Sequence, residues 1–139
     1  MVLNGAYKTM TIDLNLIRGY LDEIGVATQI DEDGDLVIVQ GADEDFGHNV
    51  VIFITVNNNR LSYAAGAPGY EPKGDLYMLA NRHNCSHHMP TAVVRNDAVR
   101  MEYSFLLDEE VSKEYIVENC IKMILGSIWR SFVTLEQEE

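Results

Sequence analysis

The chain has 139 residues, of which 47% are apolar and 23% are charged, and its formal net charge is -12. This composition fits one globular domain and excludes a disordered or fibrous chain. Ten Lys and Arg against twenty-two Asp and Glu argue against binding to nucleic acid or to an anionic membrane surface, because both depend on clustered cations. The acidity leaves two alternatives, a basic protein partner or solubility alone.

Three features predict a cytoplasmic protein. Residues 1–10 contain no basic segment followed by an apolar stretch, so we expect no secretory signal. The longest apolar run, near residues 50–56, is far shorter than the ~20 residues that a membrane helix needs. Cys85 and Cys120 stand far apart and form no motif, which is consistent with a reducing compartment.

The first predicted element is a helix over residues 11–25, where apolar side chains recur at three- and four-residue spacing. Thr11 or Asp13 is the expected N-cap, because either side chain offers an oxygen to the free amides of the first turn. Gly25 is expected at the C-terminal end, where a left-handed conformation is wanted.

Strands are predicted next at residues 26–31, 36–39, 50–56 and 61–65, with turn residues between them. Asp33 and Gly34 favour a tight turn between the first two runs. Residues 50–56 are β-branched except for Phe53, so we predict a central strand that is covered on both faces.

The second half of the chain predicts a shorter helix over residues 74–83 and a polar, histidine-rich loop over residues 84–89. A second hairpin is expected from residues 91–95 and 98–107. The second strand of this hairpin alternates apolar and polar side chains and should bury one face.

The last predicted helix begins after Ser112, a good N-cap, with Glu114 favourably placed in the first turn. Its apolar stripe has helical spacing and consists of Val117, Cys120, Ile121, Ile124, Leu125, Ile128 and Phe132. We expect the helix to end before the acidic tail at residues 136–139.

These elements predict one α+β domain over residues 1–139, with a core at about residues 11–133 and an acidic C-terminal tail. The order is helix, three or four strands, helix, two strands, helix. Short turns join the strands, so the sheet should be largely antiparallel with the helices on one face.

Metal-ligating side chains are concentrated in one short segment that contains His83, Cys85, His87 and His88. Imidazole and thiolate are zinc and copper ligands, but zinc sites usually combine ligands from two separated segments. We therefore predict a surface loop with solvated histidines and no bound cofactor. A metal-binding or metal-sensing site made of these four residues is the alternative.

Two further kinds of site, a calcium loop and a cysteine nucleophile, are not supported by the sequence. The acidic run at residues 31–35 resembles a calcium loop, but Gly34 comes two positions early and Ala42 stands where the closing Glu is required, so we predict a solvated hairpin turn. Cys85 has histidine neighbours but lacks the positioned base and orienting group of an activated nucleophile. We predict that the protein is not an enzyme.

Trp129 and Phe132 extend the apolar surface of the last helix beyond one stripe. A single-domain monomer needs only one helix face buried. Core packing and a dimer or partner interface are therefore both open for these two residues, because aromatic side chains are enriched in interface cores.

Four segments together resemble the YbjN-like family, which is described as bacterial sensory transduction regulators and is similar in fold to class I type III secretion chaperones. They are the Ile-Gly helix end within residues 16–25, the acidic hairpin at residues 31–36, the Leu-Ala-Asn-Arg-His-Asn segment at residues 79–84, and the apolar last helix. The resemblance covers roughly residues 11–132. It implies an α+β fold, a homodimer and a protein-binding or regulatory role, with no catalytic motif.

The sequence therefore predicts a non-enzymatic, chaperone-like or regulatory adaptor that buries an apolar segment of a protein partner. Both addition to a sheet edge and docking of a helix in a groove are open as modes of binding. A homo-oligomeric structural protein without an outside partner is a further alternative.

Overall fold

A computed structural model describes residues 11–108 and 110–139, so the predicted absence of a signal in residues 1–10 lies outside the described residues. The helices are α1 (Leu14–Glu23), α2 (Leu76–Ser86) and α3, which runs continuously through Lys113–Tyr115, Ile116–Lys122 and Met123–Gln137. The strands are β1 (Gln29–Ile30), β2 (Leu36–Gln40), β3 (Val50–Asn57), β4 (Arg60–Gly66), β5 (Thr91–Arg95) and β6 (Ala98–Leu106). The predicted element order is confirmed, with four strands between the first two helices.

The six strands form one open sheet in the order β1-β2-β3-β4-β6-β5, and every neighbouring pair is antiparallel. Two hairpins fix the register. Asn58 and Asn59 join β3 to β4, and Asn96 and Asp97 join β5 to β6, all four with positive φ. Asn and Asp tolerate this conformation, and the resulting turns match the twist of antiparallel strands.

The helices cover one face of this sheet, as predicted. Along β3 the side chains of Val50, Ile52 and Ile54 are fully buried, whereas Val51 and Phe53 are only partly buried. The prediction that β3 is covered on both faces was wrong, because the apolar composition of a strand does not say whether a second layer exists. We call the face opposite the helices the open face.

The first segment differs from its prediction mainly in length. The Asp13 carboxylate accepts a 2.9 Å hydrogen bond from the Leu16 N–H, so Asp13 is the N-cap and α1 begins at Leu14. Gly25 follows the helix with φ +82°, the left-handed conformation expected there. β1 contains two residues and not the predicted six, since most of that run belongs to the connection after α1.

Helix α3 begins as predicted, because the Ser112 hydroxyl accepts a hydrogen bond from the Tyr115 N–H. Its Ile116–Lys122 stretch is a π-helix, and the Cys120 carbonyl there accepts a hydrogen bond from the hydroxyl of buried Tyr63. A side chain that inserts into the hydrogen-bond ladder of a helix is a known cause of such local distortion.

The helix does not end before the acidic tail but continues to Gln137, and Leu135 is 1% exposed. The predicted core boundary near residue 133 was therefore too early. Charged residues at the end of the chain mask this last apolar position in a sequence pattern. Among the described residues, no helix is both long enough and apolar enough to cross a lipid bilayer.

Candidate functional site

The histidine-rich segment is largely helical and not the predicted loop. Helix α2 begins after its N-cap Asp75, two residues later than predicted, and continues to Ser86. His83 and Cys85 therefore lie on the helix, and His87 is its C-cap. Within residues 11–108 and 110–139, the four candidate ligands do not bring their ligating atoms together into a metal-sized group.

His83 is the exception to the prediction of solvated histidines, because it is 1% exposed. Its Nε2 atom lies 2.8 Å from the Pro90 carbonyl oxygen and donates to it. The His87 ring stacks on His83 at 4.4 Å between centroids, while His88 and Cys85 are exposed. His83 thus has a structural role, in which it ties the end of α2 to the start of β5.

The adjacent residue extends this connection along the edge of the sheet. The Asn84 side chain donates to the Ala92 carbonyl at 2.9 Å and accepts from the Ala92 N–H at 2.7 Å. These are the groups with which the edge strand β5 could otherwise pair with another strand. Together, His83 and Asn84 block part of the β5 edge.

We expect acid to weaken the fold through His83. Burial lowers the pKa of His83 below its ordinary value, so the unfolded chain takes up this proton first as the pH falls. The free energy of unfolding should therefore decrease as the pH falls below about 6.5 towards the lowered pKa.

Urea unfolding at neutral and acidic pH measures this effect. His83→Gln retains a donor for the Pro90 carbonyl but does not titrate, so its stability should fall less on acidification than that of the natural chain. His88→Gln is the matched control for the substitution itself, because His88 is exposed and lies outside the hydrogen bond to Pro90. An identical pH dependence in His83→Gln would contradict the assignment.

The two aromatic residues proposed for an interface lie in different environments. Phe132 is 0% exposed and contributes to the core, where its ring lies 5.8 Å from that of Phe46. Trp129 is partly buried, and its ring is nearly perpendicular to that of the same Phe46, with 5.7 Å between the ring centroids. Phe132 therefore packs in the core. Of the two residues, Trp129 alone has exposed surface with which it could contact a partner.

The aromatic cluster also includes residues that sequence patterns did not select. Phe46 is fully buried, although it lies in a loop otherwise made of polar and small residues. Its ring packs edge-on against Tyr70 at 5.1 Å. The sequence did contain one signal for this burial, because a single large aromatic residue within a polar loop favours burial in the core.

The two cysteines lie in different environments. Burial raises the pKa of the Cys120 thiol to about 11, which disfavours the reactive thiolate. Cys85 is exposed on α2, and its Sγ atom lies 4.0 Å from the Asn81 side-chain oxygen.

The acidic turn before β2 has the predicted hairpin geometry. The Asp31 carboxylate accepts 2.9 Å hydrogen bonds from the Asp33 and Asp35 amides, which holds the turn closed. This brings carboxylate oxygens of the three aspartates within 4.8 Å of one another. This arrangement follows from closure of the hairpin turn.

The open face is a surface that no predicted site included. Its strands present Val37, Val39, Val51, Phe53, Ala64, Arg100 and Glu102 on the side opposite the core. Val39 is 54% exposed and pairs across the strands with Val51, and Phe53 pairs with Val37. An apolar strip therefore crosses β2 and β3 without belonging to the core cluster.

Two hollows flank Phe53 on the open face. One, of about 300 Å³, lies towards Asp35, Thr55 and Ser62, where the lining is polar. The other, of about 290 Å³, lies towards Gly66 and Arg100 and is mostly apolar. The open face thus has an acidic end, an apolar middle and an end that carries arginine.

Comparison with known proteins agrees with this fold. The family model YbjN, described as "Putative bacterial sensory transduction regulator", matches residues 13–120. The chain is also similar to the crystal structure of YbjN from E. coli, described as "a putative transcription regulator", with a TM-score of 0.61 and 15% sequence identity. That similarity covers 94% of this chain and 93% of the E. coli chain.

No curated protein matches the chain in sequence. At 15% identity, the E. coli structure supports the shared fold alone. The family model, in contrast, covers well over half of the chain, including α1, the whole sheet, α2 and the first part of α3. The chain therefore belongs to the YbjN family.

Proposed function

We propose that the protein is a non-enzymatic regulatory adaptor that binds a protein partner on the open face of its sheet. The observation that carries this proposal is the exposed apolar strip made by Val39, Val51 and Phe53. Apolar strips on sheet faces are normally covered, and an uncovered one marks an interaction surface. The description of the YbjN family as regulators supports the regulatory part of the proposal.

The charges on the open face indicate the chemistry of the partner. Asp35 lines the hollow beside Phe53. Burial is the main cause that raises the pKa of Asp35, and repulsion from Asp31 and Asp33 raises it further. A cationic side chain placed there would relieve this repulsion. We therefore propose a partner segment with apolar side chains for the strip and a Lys or Arg for the Asp35 end.

The edge of β5 offers less to a partner than the open face does. Asn84 occupies both main-chain groups of Ala92, and His83 occupies the carbonyl of Pro90. Strand addition there would require these hydrogen bonds to break first. Between the two binding modes that the sequence left open, this disfavours strand addition at β5.

Site-specific photo-crosslinking in the native host tests the proposal. A photoreactive residue at Val39 probes the open face, and one at Met123 is the matched control, because both side chains are about half exposed and Met123 lies on α3. We expect one dominant protein crosslinked from position 39 and not from position 123. The crosslinked peptide should contain apolar residues next to Lys or Arg. Equal crosslinking from both positions would contradict the proposal.

The homodimer implied by the family resemblance is a separate proposal. Sedimentation equilibrium of the purified protein should give twice the chain mass of 15.7 kDa. A single-chain mass at micromolar concentration would exclude a stable dimer.

A further inference from the structure

The hollow at the arginine end of the open face has the features of a small-ligand site. Val51 and Phe53 form its apolar floor, and Gly66 and Ala98 leave space where larger side chains would stand. A Cβ atom built at Gly66 would meet no atom within 4 Å, so the space is open at the strand itself. At about 290 Å³ the hollow is at the small end of the range for ligand sites.

Arg95 and Arg100 both line the hollow, but of the two only Arg95 forms an ion pair among the residues that the structure describes. Arg95 binds Glu102 through two hydrogen bonds of 2.7 and 3.0 Å. These bonds hold the pKa of Glu102 below its usual range, and the charge of Arg100 lowers it further. The Glu102 carboxylate is therefore ionised and already bound by Arg95.

Arg100 is left with an unused donor. Its Nε atom is buried, and it has no hydrogen-bond acceptor among the residues that the structure describes. The Nη atoms are not buried in this way, so they are the part of the Arg100 side chain that a ligand in the hollow can reach. The two arginines and Glu102 together carry one net positive charge, which is enough for one anionic group.

We propose that this hollow binds a small monocarboxylate with an apolar body. The carboxylate would accept hydrogen bonds from the two Nη atoms of Arg100, in a two-point geometry that guanidinium groups favour. The apolar body would lie against Val51 and Phe53. A dianion binds more weakly, because its second charge would lie near the ionised Glu102 carboxylate without a cation of its own.

The wall of the hollow is held in place from the far end of the chain. Tyr70 lies in the wall, and its hydroxyl donates to Glu139 at 2.7 Å. The same carboxylate oxygen accepts from the Lys73 N–H at 3.0 Å. These bonds fix the loop after β4, so the hollow is formed before a ligand binds, which limits the entropic cost of binding.

This inference concerns a small molecule and does not depend on the protein partner proposed above. Calorimetric titration of the purified chain with benzoate tests it, with neutral benzamide and dianionic phthalate as controls. We expect saturable benzoate binding that is at least about tenfold tighter than binding of either control, because a hydrogen bond to a charged group is worth a decade or more in affinity.

Two variants and one control variant assign the binding to this hollow. Arg100→Met should abolish the preference for benzoate over benzamide, while Arg60→Met removes an equal charge from the opposite end of β4 and should leave benzoate affinity unchanged. Gly66→Val fills the hollow without altering charge and should block both ligands. Circular dichroism checks that each variant folds.

Absence of saturable benzoate binding at millimolar concentration would overturn the inference, as would unchanged affinity in Arg100→Met. Crosslinking of a protein from position 39 together with no benzoate binding would leave the proposed function standing and remove the small-molecule site. Benzoate binding without any protein crosslink would do the reverse.

Discussion

Replacing Phe132 with alanine is expected to lower the free energy of unfolding by about 3–5 kcal/mol, the usual cost of removing a fully buried phenyl ring. Phe132 is 0% exposed, and its ring contacts the equally buried ring of Phe46. Truncation would leave a cavity between α3 and the loop that carries Phe46. Rigid strands of the sheet on the other side of this layer limit any collapse of the cavity.

Urea denaturation gives the measurement, with two comparisons on the same helix. Met123→Ala should change stability by less than about 0.5 kcal/mol, because this side chain is 46% exposed. Trp129→Ala should lie between the two, since Trp129 is only partly buried. A loss below about 1 kcal/mol in Phe132→Ala would mean that Phe132 lies at a surface, as the interface reading requires.

Replacing Asn84 with alanine is expected to cost about 2–3 kcal/mol, because two hydrogen bonds to the Ala92 main chain are lost, each worth about 1 kcal/mol or more. The same change uncovers the N–H and C=O groups of Ala92 at the edge of the sheet. Unpaired edge groups are a template for pairing with another strand. We therefore also expect Asn84→Ala to associate as its concentration rises.

Asn81→Ala is the matched control for this prediction. Asn81 is exposed on the same helix, and its described side-chain contact is the long one from Cys85 at 4.0 Å. Its replacement should have little effect on stability or on association, which light scattering over a concentration series measures. If both alanine variants behave alike, Asn84 does not protect the β5 edge.

Local sequence patterns predicted the order of helices and strands, because caps, turns and apolar spacing each depend on residues that are close together in the chain. The cap at Ser112, the alternation along β6 and the Asn-Asp turn between β5 and β6 all act over a few residues. Such short-range signals are legible in one sequence. Errors arose at ends, where helix α2 continues through residues that look like a polar loop and α3 continues into acidic ones.

The missed features depend on contacts between distant segments. His83 is buried because Pro90 supplies an acceptor for its ring, and a histidine in a polar run gives no hint of this. The open face required the strand register, which places Phe53 opposite Val37 on one side and Ala64 on the other. The ion pair between Arg95 and Glu102 likewise forms across the β5–β6 pairing, which the spacing of the two residues in the sequence does not indicate.

Affinity of the crosslinked partner for two variants of the purified protein tests the open-face proposal most directly. Val39→Glu places a charge on the apolar strip at a position that is 54% exposed, and Met123→Glu places the same charge on α3. We expect the dissociation constant to rise at least about tenfold for Val39→Glu, because burying an unpaired charge is costly, and to stay unchanged for Met123→Glu. Unchanged affinity in Val39→Glu, with the fold intact, would show that the partner binds elsewhere.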